Sequence, residues 1–137
     1  VGISSLAKMS KMEILDLRRT KVTDAGIDSL SGMKRLRMLA LGQTAITDRG
    51  IAKLTQFPGL EMLVLSKLAI TDTALSHLGQ ISTLIELDLN ETQITDKGLE
   101  SLQNLSQLKR LWIEKNQISE EAVARLRKAL PDCRIAH

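Results

Sequence analysis

The stretch Leu84–Gln107, LIELDLNETQITDKGLESLQNLSQ, decides the fold, because the chain repeats it. Segments beginning at Met12, Leu36, Leu60 and Leu108 superimpose on it without an insertion, so a 24-residue period runs through residues 12–35, 36–59, 60–83, 84–107 and 108–131. A fixed period of this length marks a solenoid, in which each unit buries its apolar face only against its neighbours. Residues 1–11 form a half repeat and 132–137 a closing segment, so the whole of 1–137 reads as one repeat domain.

Within the quoted stretch, Leu84, Leu87 and Leu89 follow L-x-x-L-x-L, as do Leu36, Leu39 and Leu41. Leucines alternating with variable residues predict a short strand. One strand per repeat stacks into a parallel sheet with strands about 4.8 Å apart. Next comes T-x-I-T-D. Its first slot holds Thr20, Thr44, Thr92 and Asn116, which can hydrogen-bond the backbone of a turn, but Leu68 in the third repeat. Val22, Ile46, Ile70, Ile94 and Ile118 then plug the core.

A helix is predicted to follow. Thr23, Thr47, Thr71, Thr95 and Ser119 stand at the expected N-caps, and Asp24, Asp48, Asp72, Asp96 and Glu120 come next, where an acid favours the positive end of the helix dipole. Apolar residues three apart bury one helical face: Ile51, Leu54, Phe57; Leu75, Leu78, Ile81; Leu99, Leu102, Leu105. Before that face lies a slot holding Gly26, Gly50 and Gly98 but also Ala74 and Ala122. Since alanine is accepted, the slot requires small size, for close helix-to-sheet packing, and not a positive φ. Isolated glycines without Walker or Rossmann spacing do not read as a phosphate loop.

Composition agrees. Of 137 residues 43% are hydrophobic, with one Phe, one Trp and no Tyr, so the core is aliphatic. Nineteen basic residues against sixteen acidic ones give a net charge of only +3. A nucleic-acid surface calls for a basic stripe with stacking aromatics, and neither is present. No apolar run approaches a membrane span. Cys133 is the single cysteine, which excludes an intramolecular disulfide and fits a reducing compartment, although localisation stays open. It reads as a small buried hydrophobe.

These residues resemble the leucine-rich repeat family: the L-x-x-L-x-L segment followed by Thr or Asn is its signature, and five full repeats plus a half copy cover nearly the whole chain, with Leu68 in place of Thr or Asn in the third. The variant T-x-[IV]-T-D-x-G-[IL]-x-x-L is similar to 24-residue bacterial repeats abundant in planctomycetes. It is also similar to the cysteine-containing subtype of F-box receptors, with Thr in the slot where that subtype has Cys. Leu126–Ile135 resembles the way many bacterial arrays finish: Pro131 stops the last helix, and Cys133 and Ile135 begin one more strand over the end of the core. Gly2, Ile3, Leu6 and Met9 match the slots of Gly26, Ile27, Leu30 and Met33, so the chain reads as a fragment beginning inside a repeat, with self-association through its N-terminal edge as an expectation.

The resemblance implies an α/β, right-handed leucine-rich-repeat solenoid, with the parallel sheet on the concave side and helices on the convex side. It implies recognition of a protein or peptide, without cofactor, nucleic acid or membrane. Residues between the structural leucines would face the partner: Ile14, Met38, Met62, Glu86 and Arg110 at the third position, Asp16, Ala40, Val64, Asp88 and Trp112 at the fifth, and Arg18 and Glu114 at the seventh. Ile14, Met38, Ala40, Met62 and Val64 predict an apolar strip, Glu86, Asp88 and Glu91 an acidic block, and Arg18, Arg19, Lys21 and Arg37 a basic start. An exposed apolar patch rimmed by charge marks an interaction site. The plainer alternative is a β-favouring surface covered by neighbours. Lys34, Arg35, Lys53, Lys97, Arg125, Arg127 and Lys128 read as a solvated convex face, and His77 as a surface residue.

Catalysis requires a nucleophile with its base, paired carboxylates in a pocket, or a metal site. Cys133 and His137 lie on a chain end without an orienting third group, and Glu86 and Asp88 stand on an open face. The reading is therefore a non-catalytic module with neither catalytic nor metal residues. The alternatives are a targeting or regulatory domain of a larger enzyme or adaptor, and a structural scaffold or trimmed array.

Overall fold

The computed structural model describes residues 2–137. Among these, six three-residue strands, β1 (Ile14–Asp16), β2 (Met38–Ala40), β3 (Met62–Val64), β4 (Glu86–Asp88), β5 (Arg110–Trp112) and β6 (Arg134–Ala136), form one parallel sheet in sequence order. Each residue pairs with the one 24 further on: Ile14 with Met38, Met38 with Met62, and so to Arg110 with Arg134. A slip of one residue would turn the leucine row to solvent, so the hydrophobic pattern holds the register.

The strands alternate with short helices: α1 (Asp24–Ser29), α2 (Asp48–Ala52), α3 (Asp72–Leu78), α4 (Asp96–Leu99) and α5 (Glu120–Ala129). α2 and α4 continue as 3-10 turns over Lys53–Gln56 and Glu100–Leu102. The leucines of every strand and the apolar helix faces meet in one core cluster between sheet and helices. Ile3–Lys8 forms a 3-10 helix whose Ile3 and Leu6 pack on that core, the helical half of a repeat. At the other end β6 pairs with β5, and Cys133 and Ile135 join the core.

The turn slot works as its side chains suggest. Thr20, Thr44 and Thr92 donate their hydroxyls to the carbonyls of Leu17, Leu41 and Leu89 at 2.7, 2.7 and 3.0 Å. Asn116 does more: Nδ2 donates to Ile113 and Leu89 carbonyls, and Oδ1 accepts the Thr92 N–H at 2.9 Å, joining two repeats. Leu68 replaces the hydrogen bond with burial.

The helix starts differ from expectation. Only Thr47, Thr71 and Ser119 cap their own helices, at 3.3, 3.3 and 3.2 Å; Thr23 and Thr95 make no such bond. The shared feature is an aspartate staple between repeats. Asp24, Asp48, Asp72 and Asp96 each accept the backbone N–H of the next repeat's cap residue through Oδ1, at 2.8, 2.8, 2.8 and 2.7 Å. Their Oδ2 atoms accept the same residues' hydroxyls at 2.6, 2.6, 2.6 and 2.7 Å. Carboxylate acceptors make the stronger class of hydrogen bond, so the acid ties layers together as well as facing the dipole.

The staple also explains the small-residue slot. A Cβ on Gly50 would meet Asp24 Oδ1, and one on Gly98 would meet Asp72 Oδ1. A Cβ on Gly26 would meet Val22 and Ile3 instead, and Ile46 and Leu75 also stand close to Gly50 and Gly98, so apolar side chains share in the constraint with the carboxylates. No described glycine has a positive φ, whereas Arg19, Gln43, Lys67, Glu91 and Lys115 do, at 54 to 60°. This left-handed residue after each strand aims its N–H at the next repeat: Arg19, Gln43, Lys67 and Glu91 donate to the carbonyls of Gly42, Ser66, Asn90 and Glu114 at 2.9 to 3.1 Å.

Candidate functional site

The strand register places the outward side chains in rows across the sheet. Ile14, Met38, Met62, Glu86, Arg110 and Arg134 form one row; Asp16, Ala40, Val64, Asp88, Trp112 and Ala136 form the next. Ile14 is 65% exposed, and Met38, Met62 and Val64 are half-buried. Glu86, Asp88 and Trp112 are also half-buried, while Asp16, Arg18, Arg110 and Glu114 are exposed. Ala40 departs from the expected strip: it is 0% exposed, too short to rise above its neighbours, and offers a partner no surface.

A groove of about 310 Å³ runs over Ile14, Met38 and Met62, bounded by Glu13, Arg37, Glu61, Ile85 and Glu86. Of the row Glu13, Arg37, Glu61, Ile85 the sequence pointed only to Arg37, because a strict alternation assigns one outward residue between the first two leucines. The doubled variable of L-x-x-L was the available signal. Ile85, 36% exposed, adds to the apolar surface in place of Ala40. A second hollow of about 280 Å³ lies among Met62, Val64, Asp88 and Trp112. A polar hollow of about 700 Å³ spans Asp16, Arg18, Arg19, Gln43, Ser66 and Lys67 at the strand ends.

Several charges of this face are paired internally: Glu86 and Glu91 of the expected acidic block, and Arg18 and Arg37 of the expected basic start. Arg18 grips Asp16, Nη2 to Oδ2 at 2.7 Å and Nε to Oδ1 at 3.0 Å, and these hydrogen bonds hold the Asp16 carboxyl below its ordinary range. Arg37 pairs with Glu61 at 2.7 Å and Arg110 with Glu86 at 3.3 Å. Glu91 sits between Lys67 at 3.8 Å and Lys115 at 3.4 Å. Exposed pairs of this kind are screened by solvent and contribute little, so they shape the surface more than they stabilise it. Asp88 is in none of the ion pairs of the described residues; its Oδ1 accepts the Asn90 N–H at 3.0 Å.

On the convex side Lys53 is anchored, donating to Asp28 at 2.6 Å and to the Asp24 carbonyl at 3.2 Å. His77 is half-buried on α3. His137 docks on the last turn, Nδ1 3.2 Å from Glu120 and Nε2 3.1 Å from the Ile118 carbonyl. Burial pushes the Cys133 thiol up. Among the described residues no group of three or more His, Cys, Asp or Glu is placed to hold a metal ion, and no helix is long and apolar enough to cross a membrane.

The model of the family described as Leucine Rich repeat matches residues 8–31 and 80–102. An internalin (inlF) of Listeria monocytogenes is similar over 97% of this chain, at 26% identity and a TM-score of 0.81. The fold is a leucine-rich-repeat solenoid. Two further leucine-rich-repeat likenesses cover 98% of the chain. One is internalin C2 of the same organism, at 27% identity and a TM-score of 0.76; the other is an LRR protein of Leptospira interrogans, at 26% and 0.75. The chain spans 36%, 56% and 33% of the lengths of these three proteins. No curated protein matches the sequence. Leucine-rich-repeat proteins are generally interaction modules and typically non-catalytic.

Proposed function

We propose that this chain is a non-catalytic recognition module that binds a protein or peptide through the concave sheet face. One observation carries the reading: Ile14 stands exposed and Met38 and Met62 half-exposed along one groove, although the aliphatic residues one position further on are buried in every layer. An apolar patch of this kind, rimmed by charge, is characteristic of interaction sites. The mixture of paired charges gives no continuous basic stripe and so argues against a nucleic-acid partner. The 24-residue register and the two bacterial genera among the similar structures favour the bacterial 24-residue subtype. Because those proteins are longer, a second reading makes the array the targeting part of a larger protein.

The test places a photoreactive group at Val64 on β3, with a control at Ser76 on the outside of α3, and exposes both to source lysate. The reading expects a discrete species captured from Val64 alone and lost in Met62→Glu. Capture that survives Met62→Glu, or that is equal from the two positions, would sink the concave-face site.

A further inference from the structure

Asp16 and Asp88 occupy the same place in the first and fourth repeats. Each carboxylate accepts the backbone N–H two residues on at 3.0 Å. In the first repeat that residue is Arg18, whose guanidinium closes on the carboxylate through contacts of 2.7 to 3.1 Å. In the fourth it is Asn90, whose Oδ1 instead accepts the Glu114 N–H at 2.7 Å. Asp88 therefore keeps the local geometry of Asp16 without a cation upon it among the described residues. Before it lies the hollow of about 280 Å³, walled by Val64 and Met62 on one side and by Trp112, the strand partner of Asp88, on the other. Glu86 and Arg18 also reach this hollow, but each is committed, to Arg110 and Asp16 respectively.

The geometry points to this hollow as a subsite for an arginine side chain of the bound protein or peptide. The inference rests on the concave-face reading and names the chemistry of its partner. The guanidinium takes on Asp88 the place that Arg18 takes on Asp16, so the molecule itself supplies the template for the fit. Its planar fork suits a carboxylate bidentately, and its face stacks on an indole, the best cation–π partner among side chains. The methylene stem lies along Val64 and Met62, as long basic side chains do over apolar surface. Lysine would satisfy the charge but neither the fork nor the stacking.

The chain has one Trp and no Tyr, so its emission comes from Trp112, which walls this hollow and a neighbouring one formed with Arg110, Arg134 and Ala136; dependence on Asp88 assigns the response to the first. The probes are Nα-acetyl-arginine amide and its neutral isostere Nα-acetyl-citrulline amide, titrated through the millimolar range. The arginine derivative is expected to shift Trp112 emission saturably and to bind about tenfold more tightly than the citrulline derivative, one decade being a modest charge-assisted contact. Asp88→Asn, which keeps an oxygen for the Asn90 N–H, is expected to abolish that preference, and Glu121→Gln, exposed on α5, to retain it. Equal responses to the two probes, no saturable response, or a preference that persists in Asp88→Asn would overturn the subsite. The wild-type comparison needs no variant to fold. These outcomes are separate from the failure of the concave-face reading itself, which shows as a Val64 crosslink insensitive to Met62→Glu.

Discussion

Two rows of aspartate in this solenoid use the same carboxylate differently. On the helix side, Asp24, Asp48, Asp72 and Asp96 each accept two hydrogen bonds from the next repeat, with nearly constant distances in every layer. On the sheet side, Asp16 and Asp88 share a position with Ala40, Val64 and Trp112, and among the described residues only Asp16 has an ion-pair partner. Where every layer must meet its neighbour in the same way, the residue is repeated; where nothing within the fold depends on it, the residue varies. The unvarying row carries stability and the varying row is free to carry recognition.

The largest effect that would separate core from face comes from adjacent residues of β3. Leu63→Ala removes a side chain with 0% exposure and is expected to cost about 2–5 kcal/mol in urea unfolding. Met62→Glu, its neighbour, is expected to change stability by no more than about 0.5 kcal/mol, as surface substitutions do. Comparable losses from both would mean that the face is core.

Next in size is the comparison of the aspartates. Asp72→Ala strips both acceptors from Thr95 and is expected to lower stability by about 1–3 kcal/mol. Asp88→Ala, losing one bond at a half-exposed site, should stay within about 1 kcal/mol. Chemical denaturation of the two variants side by side reads the difference, and equal values would break the division between the rows.

Acid offers a subtler probe. The hydrogen bonds from the Ser119 hydroxyl and N–H hold the Asp96 carboxyl below its ordinary 3.8. A depressed folded pKa contributes stability that is fully present above the unfolded value, and that is lost as pH falls through the folded one. Stability should thus decline below about pH 4, and Asp96→Asn should flatten part of that decline in acid titrations followed by circular dichroism. An unchanged acid limb would remove Asp96 from the account.

The smallest effect tests the small-residue slot. Ala74 already stands beside Asp48, whose staple to Thr71 keeps 2.8 and 2.6 Å. Gly50→Ala should therefore shift stability by less than about 1 kcal/mol, since a slight move of the Asp24 carboxylate is offset by the better helix propensity of alanine. A thermal melt showing a much larger loss would mean that this carboxylate cannot yield.

Much of the fold was legible because a solenoid repeats its evidence. Leu39, Leu63, Leu87 and Leu111 announce the same strand in each copy, and the turn threonines find the acceptors that their chemistry requires. The candidate face was legible only in part. Position within the repeat indicated that Ile14, Met62 and Trp112 face outward, but the exposure of Ala40 was misjudged because side-chain height depends on neighbours 24 residues away. The row of Glu13, Arg37, Glu61 and Ile85 was hidden except for Arg37, because two outward residues stand together where alternation allows one.

By itself the sequence determined the period, the strand and helix of each layer and the aliphatic core, since these follow from local pattern and burial repeated at a constant spacing. Only the tertiary structure decided that the helix-opening aspartates reach across to the next repeat, that five non-glycine residues turn left-handed after the strands, and that, among the described residues, Arg18, Arg37 and Arg110 are ion-paired while Asp88 is not. Those outcomes depend on distances between separate layers, which pattern along the chain does not contain. They arise when the layers stack about a strand spacing apart and each side chain takes the nearest partner that its length and charge permit.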